Sequence, residues 1–392
     1  MSVLFFLACS GEEAAPIDAE PAEVVESANV GHWKRLDAFG FGHVDYTATL
    51  LPDGSVLLVG GFSDKAEIYD ADRGRFRTIA TMPDSRMGHA AVVQDDGTVL
   101  VVGGRVAAEG AARQTAASTL VYDPSTDTWS YGPSLVLARA DHTVSRVDGD
   151  LWACGGGDAR SLIAPCEVLR DGAWSLDTEL VAPRRGHTAT VLEGVLHLVG
   201  GEGDDGPVGV VDSIGGENST LNTARSHHHA FVHQDELWVV GGSDGAQVVG
   251  SVEVYDGQSW TGKAPLNHPR AQMGGGSLSD GRVVIFGGTP IVESPDVLAL
   301  REVELYEEGA WVKGARLVKG RFKAPTLPVD EGLLFVGGES RGKAVMDITR
   351  YSPAEKPPRE QTAEDLPSLG ADEQPPAPPP MPPEPPEPPG AN

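Results

Sequence analysis

A short apolar run that ends in two glycines occurs seven times in this 392-residue chain, and this repetition limits the possible folds more than any other feature. The runs are VLLVGG at 56–61, VLVVGG at 99–104, LWACGG at 151–156, VLHLVGG at 195–201, LWVVGG at 237–242, VVIFGG at 283–288 and LLFVGG at 333–338. Consecutive doublets lie 41 to 52 residues apart. A fixed period of this length is typical of an array built from one supersecondary unit. A turn signal, usually Asp-Gly or Glu-Gly, precedes each run, so we expect each run to be the second strand of a hairpin.

A second phrase, Arg-x-x-His, opens the segment before each turn. It reads RMGH at 86–89, RADH at 139–142, RRGH at 184–187 and RSHH at 225–228, and its spacing is kept in HVDY at 43–46, RAQM at 270–273 and RFKA at 321–324. After each doublet come a loop and a strand such as AEIYD or VEVYD, and in most units an aromatic residue follows. This pattern predicts that each unit consists of four short strands joined as a meander, in an all-β protein with many turns.

The position of the first tryptophan predicts how the array closes. Phe76, Trp129, Trp174, Trp260 and Trp311 each stand ten residues before the next Arg-x-x-His phrase, and Trp33 keeps the same distance to His43. The last unit ends at MDITRYSP without an aromatic residue. We therefore expect the strand around Trp33 to complete the last unit, because a closed ring leaves no unpaired sheet edge. The fourth unit has Gly215 where the aromatic belongs, which predicts an irregular outer strand.

The combination of Arg-x-x-His, Gly-Gly, Tyr-Asp and Trp resembles the kelch repeat over residues 32–351. The seven copies with matched spacing make this resemblance specific, whereas any single element would be weak. The resemblance implies an all-β, seven-bladed kelch-type β-propeller whose last blade is closed by the N-terminal strand.

The two ends of the chain differ in composition from the repeats. The first residues read MSVLFFLACSGEEAAP, which resembles the end of a bacterial lipoprotein signal peptide and implies a lipid on Cys9. Phe6 departs from that pattern, and no Lys or Arg precedes the apolar run. The alternative is a cytoplasmic chain with an apolar leader. We expect a signal remnant at 1–9, an acidic disordered tether at 10–31, the propeller at 32–351 and a Pro-rich acidic disordered tail at 352–392.

Charge and cysteine content favour the cell envelope and exclude one class of partner. The formal net charge of −27 argues against nucleic acid, and contact with a membrane is expected only through the lipid anchor. Cys154 and Cys166 flank the loop between the second and third strands of the third unit. In an exported protein they would form a disulfide; the alternative is two buried thiols.

Four histidines between residues 227 and 233 raise the possibility of a metal site. His228 stands at the last position of the Arg-x-x-His phrase, which Met273 and Ala324 occupy in other units. Side chains alternate along a strand, so His227, His228 and His229 cannot converge. We expect ordinary packing here, and neither a metal nor another cofactor.

Ligand binding is expected on the side that carries the long loops. The 105–119 and 289–302 insertions lie there, and the arginines that open the phrases are expected to ring the channel mouth on the same side. The ligand-binding candidates are Arg86, Arg139, Arg184, Arg225, Arg270 and Arg321, with His43 in the seventh place. Such a ring would attract an anionic sugar or peptide. The alternative is that these arginines pair with loop carboxylates and stabilise the fold.

Two function classes remain open. The first is a non-catalytic, monomeric envelope module that binds a protein or a glycan through its long loops. The second is an enzyme resembling the sialate mutarotases, which are kelch propellers that act on an anionic sugar. No catalytic residue is assigned, because no phosphate loop or nucleophile motif is present. A copper oxidase is disfavoured, since its cross-linked tyrosine needs a cysteine outside the blade strands.

Overall fold

The computed structural model describes residues 30–41, 45–107, 113–158, 160–291 and 299–353. The chain divides into two compact units, Met1–Glu355 and Lys356–Asn392, and the described residues belong to the first. Cys9, His43, most of the predicted tether and most of the predicted tail lie outside the described residues. Among the described residues, no helix has the length and apolar character needed to cross a membrane.

Seven four-stranded antiparallel sheets make up this part of the chain. The N-terminal strand is β1 (His32–Ala38). The first three sheets, from the first to the fourth strand, are β2 (Tyr46–Leu50), β3 (Val56–Gly60), β4 (Ala66–Asp70) and β5 (Arg75–Thr78); β7 (Ala90–Val93), β8 (Val99–Val102), β11 (Thr119–Asp123) and β12 (Thr128–Tyr131); and β13 (Thr143–Val147), β14 (Asp150–Cys154), β15 (Pro165–Arg170) and β16 (Ala173–Glu179).

The remaining four sheets repeat this order. They are β17 (Thr188–Leu192), β18 (Val195–Val199), β21 (Val210–Ile214) and β22 (Ser219–Thr220); β23 (His229–His233), β24 (Glu236–Val240), β25 (Val252–Tyr255) and β26 (Trp260–Lys263); β27 (Gly274–Ser277), β28 (Val283–Phe286), β29 (Val303–Glu307) and β30 (Ala310–Lys313); and β31 (Thr326–Val329), β32 (Gly332–Val336) and β35 (Asp347–Ser352), completed by β1. The outer strand of the fourth sheet, β22, has only two residues, at the unit that lacks its aromatic.

Short strands add small sheets; all lie in loops between the second and third strands except β6, which lies in the connection from the first sheet to the second. They are β6 (Ser85–Met87), β9 (Arg105–Ala107) and β10 (Gln114–Thr115) in the second unit, β19 (Glu202–Gly203) and β20 (Gly206–Pro207) in the fourth, and β33 (Glu339–Ser340) and β34 (Lys343–Ala344) in the last.

The sheets stand in a closed ring around their innermost strands. These strands contact one another in chain order from β2 through β7, β13, β17, β23 and β27 to β31, and β31 contacts β2. Apolar side chains pack between neighbouring sheets, as Leu57 and Val59 of the first do against Val99 and Val101 of the second. The second strand of each sheet lies between two neighbours, which explains its continuous apolar sequence.

The N-terminal strand closes the ring, as the sequence predicted. β1 pairs antiparallel with β35, from His32 opposite Ser352 to Ala38 opposite Asp347. The indole N–H of Trp33 donates to the carbonyl of Ala315 in the sixth unit at 2.8 Å. The predicted all-β propeller class and its closure by the N-terminal strand are thus confirmed.

The meander gives the ring two different faces. The turns between strands 1 and 2 and between strands 3 and 4 of each sheet lie on one side, called here the turn face. The connections between strands 2 and 3, and from strand 4 to the next sheet, lie on the other side, called here the loop face. The first-strand ends that follow the Arg-x-x-His phrases open on the loop face.

Candidate functional site

The six arginines that open the phrases are buried, which corrects the expectation that they surround the channel mouth. Their relative exposure is 0%, except for 1% at the last one; they are Arg86, Arg139, Arg184, Arg225, Arg270 and Arg321. A guanidinium group with no exposed surface cannot hold a ligand without rearrangement of the sheets around it. The seventh candidate, His43, lies outside the described residues.

Each buried guanidinium is held by groups of its own unit. Arg139 donates to the carbonyls of Ala153, Gly155 and Pro165 and to the carboxylate of Glu167 at 2.8 Å. The other ion pairs join Arg184 to Asp212, Arg225 to Glu253, Arg270 to Glu304, Arg321 to Asp347 and Arg86 to Asp84. In five of the six pairs the acid lies on the third strand of the sheet, so the pair ties the first strand's entry to the third strand.

The acidic partners also fasten the loop before the arginine. Glu253 accepts backbone N–H groups of Asn222 and Thr223, at 2.6 and 3.1 Å, beside its bond to Arg225. Burial lowers the pKa of Arg225, while the charge and hydrogen bond of Glu253 raise it. An arginine starts so far above neutral pH that it stays charged here. These groups therefore belong to the scaffold, as the alternative interpretation of the sequence proposed.

The Arg-x-x-His phrase of one sheet docks on the glycine doublet of the sheet before it. The N–H of Gly156 donates to the carbonyl of Arg184 at 2.7 Å, and Gly201 makes the same bond to Arg225. A Cβ on Gly155 would lie 2.6 Å from Cε1 of His187, so only glycine leaves room for the imidazole. The two repeated motifs are thus the two halves of one contact between neighbouring sheets.

The histidines of the phrase are neutral packing groups. His187 Nε2 shares a hydrogen bond with Thr143 Oγ1 at 2.9 Å, and burial, with smaller effects of nearby arginines, lowers the pKa of His187 to about 3. Burial also places the pKa of His228 well below its usual value. His229 and His233 instead bond to the sixth sheet, through the Gly275 carbonyl and the Ser277 hydroxyl. Among the described residues, no three His, Cys, Asp or Glu side chains are grouped to hold a metal ion.

A different position of the phrase lines the channel mouth. The third residue of each phrase has a positive φ, between 52° and 62°, in all seven units. The residues are Asp45, Gly88, Asp141, Gly186, His227, Gln272 and Lys323. We call them the mouth ring. The N–H of Gln272 donates to the carbonyl of His227 at 2.8 Å, and three further bonds of this kind link neighbouring members.

Five members of the mouth ring carry side chains in a backbone conformation that favours glycine. A residue with a Cβ costs roughly 1–2 kcal/mol there, and such strain is concentrated at functional sites. The sequence contained a signal for this position, because Gly88 and Gly186 occupy it in two units. The signal is weak beside the arginine and histidine of the same phrase, which recur in more units.

Six of the seven members of the mouth ring line a cavity of about 610 Å³, and most of its lining residues are charged or polar. It is lined by Asp45, Asp141, Arg185, Gly186, Glu202, Ser226, His227, His228, Gln272, Met273 and Lys323. Asp141 pairs with Arg105 at 2.5 Å, and Lys323 lies 3.4 Å from Glu339. Acidic and basic groups therefore converge at one opening, and they come from the mouth ring and its neighbours.

Exposed apolar side chains are more frequent in the connections of the loop face than in the turns of the turn face. Five of the nine large apolar residues that are exposed among the described residues lie in loop-face connections: Phe62, Val136, Val181, Ile291 and Val318. The other four are on strands. The described turns of the turn face hold none.

Cys154 and Cys166 form a disulfide, as the sequence predicted for an exported chain. Their Cα atoms lie 4.3 Å apart on the neighbouring strands β14 and β15. Both sulfurs are thus committed to one bond inside the third sheet.

Comparison with known proteins agrees with this architecture. The family model described as "Kelch motif" matches residues 86–136 and 224–267. Kelch-like protein 36 of Bos taurus is 25% identical over 306 residues, which cover 70% of this chain and 48% of that protein. Alpha-scruin of Limulus polyphemus is 32% identical over 124 residues, 30% of this chain and 13% of that protein. The chain spans about half the length of the bovine relative.

Two solved structures show a similar fold at 16% sequence identity. "Structure of YjhT" has a TM-score of 0.54 and covers 80% of this chain and 98% of its own. "Novel fungal alcohol oxidase with catalytic diversity among the AA5 family, in complex with copper" has a TM-score of 0.66 and covers 86% of this chain and 79% of its own. Together with the repeated sheets and their docking motifs, these similarities show that the chain is a kelch-repeat protein with a β-propeller fold.

Proposed function

We propose that this chain is a non-catalytic binding module that holds a partner protein on its loop face. The observation that carries this proposal is the uneven distribution of exposed apolar side chains. Val181 and Val318 are 68% and 83% exposed in connections of the loop face. Full burial of one such side chain stabilises a complex by about 1.5–3 kcal/mol. Such exposed apolar side chains therefore favour a protein surface over a small polar ligand.

The relatives support a protein partner without naming one. Kelch repeats commonly serve as protein-binding modules, and the curated matches include Kelch-like proteins from several vertebrates. A glycan remains an alternative ligand for the same face.

Photo-crosslinking from single positions tests this proposal. A benzophenone amino acid at Val181 or Val318 should form an adduct with a distinct protein in cells that produce the chain. The same group at Gly97 or Gly149, in turns of the turn face, should not form that adduct. Once the partner is identified, Val136→Asp combined with Val181→Asp should weaken its binding by about tenfold or more. Equal adducts from both faces, or unchanged affinity of the double variant, would contradict the proposal.

We further propose that the propeller is tethered to a bacterial envelope membrane through a lipid on Cys9. The support is the apolar run before Cys9, the acidic spacer after it and the Cys154–Cys166 disulfide, which suits an oxidising compartment. Cys9→Ser should move the protein from the membrane fraction to the soluble fraction. Ser10→Ala, beside it, should leave the protein in the membrane fraction. A Cys9→Ser protein that still sediments with membranes would end this proposal.

A second candidate function rests on the polar cavity. Asp141 and Arg185 both line it, and a carboxylate beside a guanidinium could bind and act on an anionic sugar, as a sialate mutarotase does. Nuclear magnetic resonance can measure whether the chain accelerates exchange between the anomers of N-acetylneuraminate. Acceleration that is lost in Asp141→Asn would favour the enzyme. The uncatalysed rate would leave the binding module as the function.

Copper chemistry of the alcohol-oxidase type does not fit these residues. A tyrosine cross-link needs a free cysteine thiol, and the two cysteines of the described ranges, Cys154 and Cys166, are bonded to each other.

A further inference from the structure

A polar cleft of about 180 Å³ adjoins the mouth cavity on the loop face. Three arginines from three neighbouring units line it: Arg105, Arg160 and Arg185. Arg105 follows the doublet of the second unit, Arg160 lies in the loop between strands 2 and 3 of the third, and Arg185 belongs to the phrase of the fourth. Arg185 also lines the mouth cavity, so the two cavities share a wall.

These arginines differ from the six buried ones in exposure and in pairing. Arg160 and Arg185 are exposed, and within the described ranges neither forms an ion pair. Arg105 is one third exposed and is paired with Asp141. The cleft also contains Asp158 and Asp204. The unpaired guanidinium groups of Arg160 and Arg185 therefore line the same cleft as the paired guanidinium group of Arg105.

The acid nearest in sequence to Arg160 is already used by the backbone. Asp158 Oδ1 accepts the N–H groups of Arg160 and Ser161, at 2.7 and 2.8 Å. These bonds lower the pKa of Asp158. They fix the loop, and the charge of Arg160 lowers the pKa of Asp158 further without an ion pair between them, so the Arg160 guanidinium can still bind another acceptor.

Glycines keep the path between cleft and mouth open. A Cβ on Gly186 would meet nothing within 4 Å, so this member of the mouth ring leaves space where others carry a side chain. At Gly88 a Cβ would lie 2.5 Å from Asp141 Oδ1, so glycine makes room for the Arg105–Asp141 pair.

We propose that the cleft binds carboxylate side chains of an acidic peptide segment in the partner, with Arg160 and Arg185 as the main contacts. A guanidinium fork matches a carboxylate bidentately, and two forks without an acidic partner can hold one or two such groups. The adjoining mouth cavity gives a chain longer than one residue a place to continue. The net charge of −27 repels acidic partners at long range, so recognition depends on these local cations. This inference rests on the proposed binding function and names the partner's chemistry.

The test uses the full chain and a fluorescein-labelled hexaglutamate peptide as the probe, with binding followed by anisotropy. Arg160→Ala combined with Arg185→Ala should weaken binding by about tenfold or more. The matched control is Arg73→Ala combined with Arg75→Ala, which removes the same charge from the turn face; its affinity should stay within about twofold of wild type. Equal losses in both double variants, or no saturable binding by the wild type, would overturn the inference.

A second pair of variants separates geometry from charge and from folding. Arg160→Lys combined with Arg185→Lys keeps the net charge and loses the planar fork, so binding should fall several-fold while the melting temperature stays that of wild type. Undiminished binding by the lysine variant would contradict the bidentate contact. Inorganic sulfate that displaces the probe as well as free hexaglutamate does would show a general anion site and contradict peptide recognition.

The identified partner distinguishes this inference from the proposed function. If the Arg160→Ala, Arg185→Ala variant binds that partner like wild type while Val136→Asp with Val181→Asp does not, the acidic-peptide inference fails and the function stands. If neither variant affects the partner, the function itself fails.

Discussion

The two faces of this propeller are built from the same seven repeats but differ in how their hydrogen bonds are arranged. On the turn face each hairpin is held by its own residues: Asp96, for example, accepts the backbone N–H and the hydroxyl of Thr98. On the loop face the bonds join one sheet to the next, as from Gly156 to Arg184. One contact between sheets also occurs on the turn face, where Arg146 donates to the Val93 carbonyl and pairs with Asp95. The repeated bonds between doublets and phrases, however, lie on the loop face. The proposed site lies on the loop face, where a ligand would contact several units at once.

The faces also differ in backbone strain. Non-glycine residues with positive φ occur at both, but those of the turn face lie at separate hairpin tips, such as Asp148, Glu193 and Gln234. Those of the mouth ring converge on one cavity. Strain at a hairpin tip shapes a turn, whereas strain repeated around an opening places side chains toward a common ligand.

The largest expected contrast is between a buried and an exposed ion pair. Arg225→Ala leaves Glu253 buried without its cation, so we expect the free energy of unfolding to fall by about 3–5 kcal/mol. Arg73→Ala removes the exposed partner of Asp70 at the turn face and should change it by less than about 1 kcal/mol. Urea unfolding followed by tryptophan fluorescence measures both. Similar losses in the two variants would contradict a larger contribution of the buried pair to the stability of the fold.

Two glycines with positive φ provide the next contrast. Gly155→Ala introduces a Cβ against His187 and the Arg184 carbonyl, and it strains a backbone with φ of 63°. Gly149→Ala, in a turn of the third sheet, adds only the strain, because nothing lies within 4 Å of its Cβ. We expect a loss of about 2–4 kcal/mol at Gly155 and about 1 kcal/mol at Gly149. Thermal unfolding measures both variants. Equal losses of stability would mean that the doublet glycine is needed only for its positive φ and not for its contact with the histidine.

The pH dependence of stability should come from the loop face. Burial lowers the pKa of His89 and of His187 to about 3, whereas an unfolded chain binds protons at these groups near pH 6.5. The unfolded state therefore holds more protons between these values, and stability falls as the pH drops from 6.5 toward 3.

His142 allows this dependence to be removed at one position. Burial sets the pKa of His142 well below 6.5, and neither ring nitrogen has a hydrogen-bond partner in the described part of the chain. His142→Met, with the side chain that the sixth unit carries as Met273, should reduce the stability lost between pH 7 and pH 5 by on the order of 2 kcal/mol. Asp96→Asn on the turn face should leave that loss unchanged, because an aspartate with a lowered pKa stays ionised there. An unchanged pH profile in His142→Met would contradict the assignment.

Local sequence patterns predicted the sheets, whereas the candidate site depends on contacts between residues far apart in the sequence. The glycine doublets, the ten-residue spacing of Trp33 and the Cys154–Cys166 pair could be predicted because each depends on neighbours in sequence or on the repeat period. The burial of Arg139 could not be inferred from its own phrase, because its partner Glu167 lies 28 residues later. An acid recurs at the same distance after Arg184 and Arg225, and that recurrence was the available signal.

The smallest expected effect distinguishes a positive-φ residue that contributes to binding from one that only shapes a turn. Gln272 in the mouth ring and Gln234 in a turn of the fifth sheet have nearly the same φ, 54° and 50°. Replacement of either by glycine relieves a similar strain, so both variants should melt within about 2 °C of wild type or slightly above it. Only Gln272→Gly should weaken partner binding, by about two- to tenfold, because only that side chain lines the cavity. If both variants bind the identified partner like wild type, the Gln272 side chain does not contribute to binding. If both variants bind it equally weakly, part of the interface lies on the turn face, contrary to the proposal from the exposed apolar residues.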